Sequence, residues 1–301
     1  MYFIGIDGGG TKTKAVLMDQ NGEILDSIET KGTNPKSVPG DEVQARLYNL
    51  LDHFYSRFPK ANIQAIGAGM AGVYEEHEKS QIKQWLQHDA DSPPVYVTND
   101  AEIALAAGAG DNCGIVVISG TGSIVYGITR EGKTMRAGGW GPILGDAGSG
   151  YDIGLQTLQA VMKSYDGIIH ATQLTDLILQ QYQLTAITEL RDRMYKPHVG
   201  KQEIAAFAQI CIEAAANEDQ AAVQIIQRAA DELADAALAV VRRHPRFKQE
   251  TIVLHGSIFH FSEHFRRHFI KRLKTEHVNR IQLLHRAPAC GAALLAAKYA
   301  S

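Results

Sequence analysis

At 301 residues the chain is long enough for two domains of ordinary size, each with its own core. With 45% hydrophobic and 21% charged residues it has an ordinary globular composition, and a net charge of −3 offers no global attraction to nucleic acid or anionic membranes. No apolar run approaches the roughly 18 residues of a membrane span, an acid stands at position 7 where a signal peptide would be apolar, and Cys113, Cys211 and Cys290 are too scattered for a disulfide framework or a metal knuckle, so the expectation is a cytoplasmic chain with buried thiols.

The first predicted strand, residues 2 to 7, runs into Asp7, then Gly8, Gly9 and Gly10, then Thr11, Lys12 and Thr13. A glycine triplet between two strands carries no Cβ to hold a phosphate away, so backbone N–H groups can reach one directly. This reads as a seat for a triphosphate. A Walker A loop needs G-x-x-x-x-G-K-[ST] between a strand and a helix, whereas here Thr11 intrudes before Lys12 and a second strand, 12 to 18, follows. Asn21-Gly22 then suggests a two-residue hairpin into a third strand, 23 to 30. Asp7 at the end of the first strand would repel phosphates unless Mg²⁺, through water, lay between. On the turn residues alone, the segment also reads as a hairpin that merely turns tightly.

Helix 40 to 57, strand 63 to 68, helix 74 to 88 and strand 94 to 98 complete a mixed sheet with helices packed on it. GAGMAG at 67 to 72 fits the dinucleotide fingerprint, with Asp89 and Asp91 about 20 residues on, but that fingerprint belongs on the first strand of a parallel sheet. Thr98 and Asn99 lead to Asp100 and a helix from Ala101. An aspartate at the C-terminal end of a strand can accept a hydroxyl proton while a phosphoryl group arrives opposite. The alternative is that Asp100 caps the helix.

The pattern then restarts about 110 residues on: strand 114 to 119, then Gly120, Thr121, Gly122 and Ser123, a returning strand 124 to 129, a turn at 130 to 133 and another strand. Two similar lobes facing each other across a nucleotide would explain the recurrence. GGWGPILGDAGSG at 138 to 150 holds six glycines around Trp140 and Asp146, a density that makes sense where main chain approaches a ligand. Trp140 offers a flat face to a sugar ring and Asp146 an acceptor for its hydroxyls; a long turn before a helix at 150 is the alternative. From 151 to 243 the chain is mostly helical, with alanine-rich segments at 201 to 216 and 218 to 243. Strands return at 251 to 254 and 280 to 284, and Pro288 opens a last helix. Residues 242 to 286 hold 11 Lys and Arg against 3 Asp and Glu, read as a solvated basic helix in preference to a docking surface. Within them HFSEH at 260 to 264 matches H-x-x-E-H, but a surface helix suits it better. LHGSIF at 254 to 259 suits a backbone set against a nucleotide's ribose or base.

Taken in order, IGIDGGGTKTK, TND, VVISGTGSI, GGWGPILGDAGSGYDIG and LHGS resemble the N-acetylglucosamine kinase-like branch of the BadF/BadG/BcrA/BcrD ATPase family, in the actin, Hsp70 and hexokinase superfamily. The resemblance runs from residue 2 to the final helix. It implies an α/β fold of two ribonuclease-H-like lobes with an interlobe nucleotide and sugar cleft: residues 1 to 112, with the last helix, about 287 to 301, packing back on them, and residues 113 to 286. It implies ATP and Mg²⁺ as cofactors, a small-molecule amino sugar as substrate, and a homodimer. By position, Asp7 would organise Mg²⁺, and Gly8, Gly9, Gly10, Thr11 and Lys12 would hold phosphates with Gly120, Thr121 and Gly122. Asp100 would be the base for the sugar's 6-hydroxyl. Asn34, Ser123, Gly139, Trp140 and Asp146 would contact the sugar, and Gly256 would line the adenosine site. Two other readings remain: an ATPase that energises a 2-hydroxyacyl-CoA dehydratase, which requires a cysteine-held iron–sulfur cluster, and a nucleotide-gated binding module.

Overall fold

The computed structural model describes residues 1–87, 89 and 91–300. In chain order its elements are β1 (Tyr2–Gly8), β2 (Lys12–Asp19), β3 (Ile24–Lys31), α1 (Gly40–Tyr55), β4 (Ile63–Met70), α2 (Glu76–Leu86), β5 (Val95–Asn99) and α3 (Asp100–Ala109). The second series is β6 (Gly114–Ser119), β7 (Ser123–Ile128), β8 (Thr134–Gly138), α4 (Gly150–Tyr165), α5 (Gln173–Tyr182), α6 (Glu189–Met194), α7 (Lys201–Ala216) and α8 (Gln220–Arg243). It closes with β9 (Ile252–His255), α9 (Ser257–Phe261), α10 (Glu263–Lys274), β10 (Ile281–Leu283) and α11 (Pro288–Ala300). His88 and Ser301, at the ends of two expected helices, lie outside the described residues.

Two compact units result. One comprises Met1–Val116, Ile128–Lys133 and the C-terminal segment from Leu284; the other comprises Val117–Gly127 and Thr134–Leu283. The first sheet runs β3-β2-β1-β4-β5 and the second, read from its other edge, β8-β7-β6-β9-β10. The recurrence seen in the sequence is therefore a recurrence of sheet order, strand for strand.

In the first sheet β1, β2 and β3 are antiparallel neighbours, because the glycine turn and the turn after Asp19 are short, while β4 and β5 run parallel to β1. The turn after Asp19 differs from the two-residue hairpin expected there. Residues 20 to 23 separate the strands, with the Asp19 carboxylate accepting from the N–H of Asn21 and Glu23. Of Asn21 and Gly22 only Gly22 is left-handed, at φ 85°, so the type I′ geometry, which needs positive φ at both central residues, is not formed.

The core beneath this sheet is Ile4, Ile6, Leu17, Leu47, Phe54, Ile66 and their neighbours. On its other face α11 packs through Ala289, Cys290, Ala293 and Ala296. Small residues allow that approach: a Cβ on Gly5 would overlap Ala289 O, and one on Gly67 would overlap Ala292 O. Of the GAGMAG glycines, Gly67 and Gly69 are thus spent on helix packing, Gly69 against Ile103 of α3, while Gly72, at φ 80°, stands beside Asn34 in a turn.

The second unit is dominated by α8, whose one face, including Ile226, Ala230, Leu233, Ala237 and Val241, is buried. Its acids meet part of the basic segment: Arg272 pairs with Asp235, and His268 with Asp231, while Arg242 at its end pairs with Glu276. The Arg242–Glu276 pair is internal to residues 242 to 286, so of these contacts only Arg272–Asp235 sets one of the segment's arginines against an acid from outside it. His264 sits 4.0 Å from Glu218, and among the described residues no group of three or more His, Cys, Asp or Glu is placed to hold a metal ion. Cys113, Cys211 and Cys290 are all buried without disulfides, and burial pushes the Cys211 thiol up to about 12. Among the described residues no helix is long and apolar enough to cross a membrane.

Candidate active site

In the first unit the parallel strands β1, β4 and β5 bring their C-terminal ends to one edge of the sheet, the edge at which open α/β sheets bind ligands. Asp7 stands at the end of β1 and Asp100 directly follows β5. Burial, reinforced by the charge of Asp100, pushes Asp7 up to about 7, against the lowering charges of Lys12 and Lys14. Burial also raises Asp100, opposed by the backbone N–H groups of Asp100 and Ala101. Asp100 does not cap its helix. That role belongs to Asn99, whose side chain accepts from Glu102 N at 2.9 Å, which leaves Asp100 as the first helical residue.

The turn after β1 is a hairpin closed by Gly9 N–H to Lys12 O at 3.0 Å. Its three glycines serve different ends. A Cβ on Gly8 would stand 2.5 Å from Met70 Sδ and 2.7 Å from Thr33 Oγ1, and one on Gly9 would meet Lys12 O at 2.8 Å, whereas Gly10 faces open space. Gly8 and Gly9 are thus packed against the chain itself, and of the three glycines Gly10 is the one with open space beside it. Lys12 reaches Glu29 at 3.6 Å on the exposed hairpin. The turn is tied to the Asn34 turn: Thr33 N–H donates to Gly9 O at 3.0 Å, and the Thr13 and Thr33 hydroxyls share a 2.8 Å bond. Asn34 Oδ1 accepts from Lys36 N–H at 2.8 Å, so one side of that amide closes its own turn.

In the second unit Gly120, Thr121 and Gly122 join β6 to β7, and the carbonyls of Gly120 and Thr121 accept from Gly150 N–H (2.7 Å) and Tyr151 N–H (3.2 Å) at the start of α4. Two buried serines pin the glycine-rich segment to this sheet: Ser119 donates to Gly148 O at 2.6 Å and Ser123 to Ala147 O at 2.7 Å. Gly138, Gly139, Gly141, Asp146 and Gly148 all have positive φ, between 58° and 87°, so the glycine density is in large part the requirement of a sharply folded loop. The loop carries Trp140 outward, 59% exposed, with the Arg136 guanidinium stacked 3.9 Å over its ring. Gly139 lies over Ile124. Asp146 points the other way. Its buried carboxylate pairs with Lys201 at 2.6 Å, against Gly122. Gly122, Ser123 and Asp146 therefore come together, and Trp140 packs against Gly145, the residue before Asp146, with its ring exposed.

Gly256, at φ 105°, places the start of α9 so close to β6 that a Cβ would overlap Ser119 O. The reason for this glycine is the neighbouring strand. Beside it opens a cavity of about 610 Å³, lined by Gly120, Thr121 and Gly150, by Gln202, Ala205, Gln209 and Glu213 of α7, and by Ser257, Ile258 and Phe261. Apolar walls with a few amide and carboxylate groups are the usual lining of a small-molecule site. Lys201, Gln202, Gln209 and Glu213 were not singled out by sequence reasoning. The available signal was the small residues Ala205, Ala206 and Ala208 close to the long polar Gln202, Gln209 and Glu213 on one helix.

The profile of the BadF/BadG/BcrA/BcrD ATPase family matches residues 4–296. An N-acetylmuramic acid/N-acetylglucosamine kinase of Clostridium acetobutylicum is 37% identical over 242 residues, which are 80% of this chain and 79% of that protein. An N-acetyl-D-glucosamine kinase of Dictyostelium discoideum is 35% identical over 264 residues, 84% of this chain and 83% of that one. A ROK family glucokinase from Streptomyces griseus, solved with glucose and AMPPNP, shares the fold at 18% identity and a TM-score of 0.62, covering 99% of this chain and 100% of that one. The α/β fold expected from the resemblance is thus shared with a sugar kinase.

Proposed function

The chain belongs to the BadF/BadG/BcrA/BcrD ATPase family, and we propose that it is an ATP-dependent amino-sugar kinase that phosphorylates the 6-hydroxyl of N-acetylglucosamine or a close relative, N-acetylmuramic acid or glucosamine. The observation that carries this reading is the pair Asp7 and Asp100 at one sheet edge, each with raised proton affinity, in the same unit as the glycine hairpin.

In this reading Asp100 accepts the proton of the sugar hydroxyl as its oxygen attacks the γ-phosphorus, and ADP leaves. A carboxylate whose proton affinity is raised by burial is a stronger base than a solvated one, and such help contributes about 10² to 10⁴-fold. Backbone N–H groups of the turn after β1, with Thr11 and Lys12, and those of Gly120, Thr121 and Gly122 orient the phosphates. Orientation and charge neutralisation supply most of the rate. The cavity beside Gly256 takes the adenosine. Asn34, Ser123, Gly139, Trp140 and Asp146 contact the sugar; the Ser123 hydroxyl already donates to Ala147 O, so it offers the substrate an acceptor.

Two mutually repelling carboxylates suit a hard divalent cation, which takes one or two carboxylates together with substrate phosphates and keeps several waters. Asp7 is the residue that would hold Mg²⁺, through water, and the ion would supply neutralisation of phosphate charge.

The test is ADP release from MgATP in the presence of N-acetylglucosamine, N-acetylmuramic acid, glucosamine or glucose, with N-acetylglucosamine lacking its 6-hydroxyl as control. Turnover with one or more amino sugars, absent with the deoxy analogue, is expected. ADP release indifferent to every sugar would replace the kinase with an ATPase switch, and turnover of the deoxy analogue would move the phosphorylated position.

A further inference from the structure

Lys201 is the first residue of α7. A cation in the first turn opposes the helix macrodipole, so helix formation does not ask for a lysine there. Its amine instead reaches Asp146, with Nζ 2.6 Å from Oδ2. Both groups lie over the bare backbone of Gly122: a Cβ there would stand 2.8 Å from Lys201 Nζ and 2.9 Å from Asp146 Oδ2. The pair also abuts the 610 Å³ cavity. Gln202, next after Lys201, lines it, and so do Gly120 and Thr121, next before Gly122.

The two partners differ in freedom. The Lys201 side chain is 35% exposed and that of Asp146 only 4%. Asp146 is further held by a left-handed backbone at φ 58° and by its carbonyl, which accepts from Ser149 N–H at 3.1 Å. An anion entering the cavity along the glycine turn would meet the ammonium, and the ammonium can turn to it while the carboxylate cannot follow.

We propose that Lys201 is a phosphate-binding residue, and that a nucleoside di- or triphosphate in this cavity draws it away from Asp146. The identity of the anion rests on the kinase reading. The exchange leaves a buried carboxylate in need of donors, which a sugar hydroxyl supplies, so nucleotide and sugar binding become mutually favourable. By linkage that coupling is reciprocal.

The experiment is calorimetric titration of MgADP, without sugar, into the wild type, Asp146→Asn, and the double variant Lys201→Met/Asp146→Asn. Removing Lys201 alone would strand a buried charge and risk the fold; the double variant removes both charges together. If Lys201 binds phosphate, the double variant loses about 10- to 100-fold in MgADP affinity, the worth of a charge-assisted bond. Asp146→Asn alone binds MgADP several-fold tighter than wild type, because the competing carboxylate charge is gone. Wild-type affinity in the double variant would reduce Lys201 to a counter-charge for Asp146. Unchanged or weaker binding by Asp146→Asn would overturn the exchange of partners. A wild type that binds MgADP but phosphorylates none of the sugars removes the kinase reading and leaves the Lys201 comparison standing; a wild type that binds no MgADP overturns both.

Discussion

The charge of Asp100 adds to burial in lifting Asp7 to about 7, across the two β-strands that the parallel strand β4 separates. Each carboxylate sits where its strand ends, so the pair is a product of strand order: β1 and β5 flank β4 only because the chain crosses over twice through helices. Two like charges at one sheet edge are unfavourable for folding, and on the kinase reading proposed above a cation and a substrate hydroxyl would offset that cost.

Asp7 binds its proton more tightly in the folded chain, at about 7, than its ordinary 3.8. The folded state therefore holds more protons than the unfolded one between those values, and stability falls as pH rises through that window before levelling off above about 7. Asp7→Asn should abolish this loss, so that its stability relative to wild type improves from pH 4 to 7 by on the order of a few kcal/mol. Urea unfolding at a series of pH values checks the slope. A flat difference between variant and wild type would contradict the buried, charge-coupled setting. Addition of Mg²⁺ at pH 8 should stabilise the wild type and not the variant.

Asp100→Ala should lower kcat by about 10² to 10⁴-fold while MgADP still binds, as a general base requires. Its stability should hold or rise, because the variant deletes a buried charge and the cap stays with Asn99. Asn99→Ala should instead cost about 1 kcal/mol through the lost cap. Turnover of Asp100→Ala close to wild type would remove the base from the mechanism.

Gly10 and Gly256 should respond oppositely to alanine. Gly10 has open space at its missing side chain and no positive φ, so Gly10→Ala should keep stability within about 0.5 kcal/mol yet raise KM for MgATP several-fold. Gly256→Ala meets both a φ of 105° and the Ser119 carbonyl, and a strained backbone with overlap should cost about 3 kcal/mol or more. Thermal unfolding and MgATP kinetics on the two variants separate a ligand-facing glycine from a packing one.

Trp140 is exposed and stacks on the Arg136 guanidinium of β8, so Trp140→Ala should shift stability by about 1 kcal/mol at most, the scale of a surface cation–π contact. If the indole serves as a platform for the sugar, KM for the amino sugar should rise at least about tenfold with KM for MgATP unchanged. Equal KM values for sugar in variant and wild type would confine Trp140 to its contact with Arg136.

Much of the architecture was legible because it depends on near neighbours in the chain. A continuous apolar run marked β6 at 114 to 119, the alanine-rich segment marked α7 at 201 to 216, and Pro288 marked the start of α11. The turn at Asn21 was misread for an equally local reason: the Asp19 carboxylate captures two backbone N–H groups and stabilises a longer loop. Asp100 illustrates the limit from the other side. Asn99 and Asp100 are both good caps by type, and only the structure, by giving the cap to Asn99, left Asp100 available for other work.

The sequence by itself determined the repeated strand, glycine turn and strand, the family to which those motifs point, and the positions of Asp7 and Asp100 at strand ends, since all of these follow from short-range pattern. Tertiary structure alone decided what each glycine is for, that Asp146 faces Lys201 rather than solvent, and that α7 and α9 enclose a cavity beside Gly120. Those outcomes depend on which distant segments share a few ångströms, and a partner 55 residues away, as Lys201 is from Asp146, or 137, as Gly256 is from Ser119, leaves no trace in the local period of the chain.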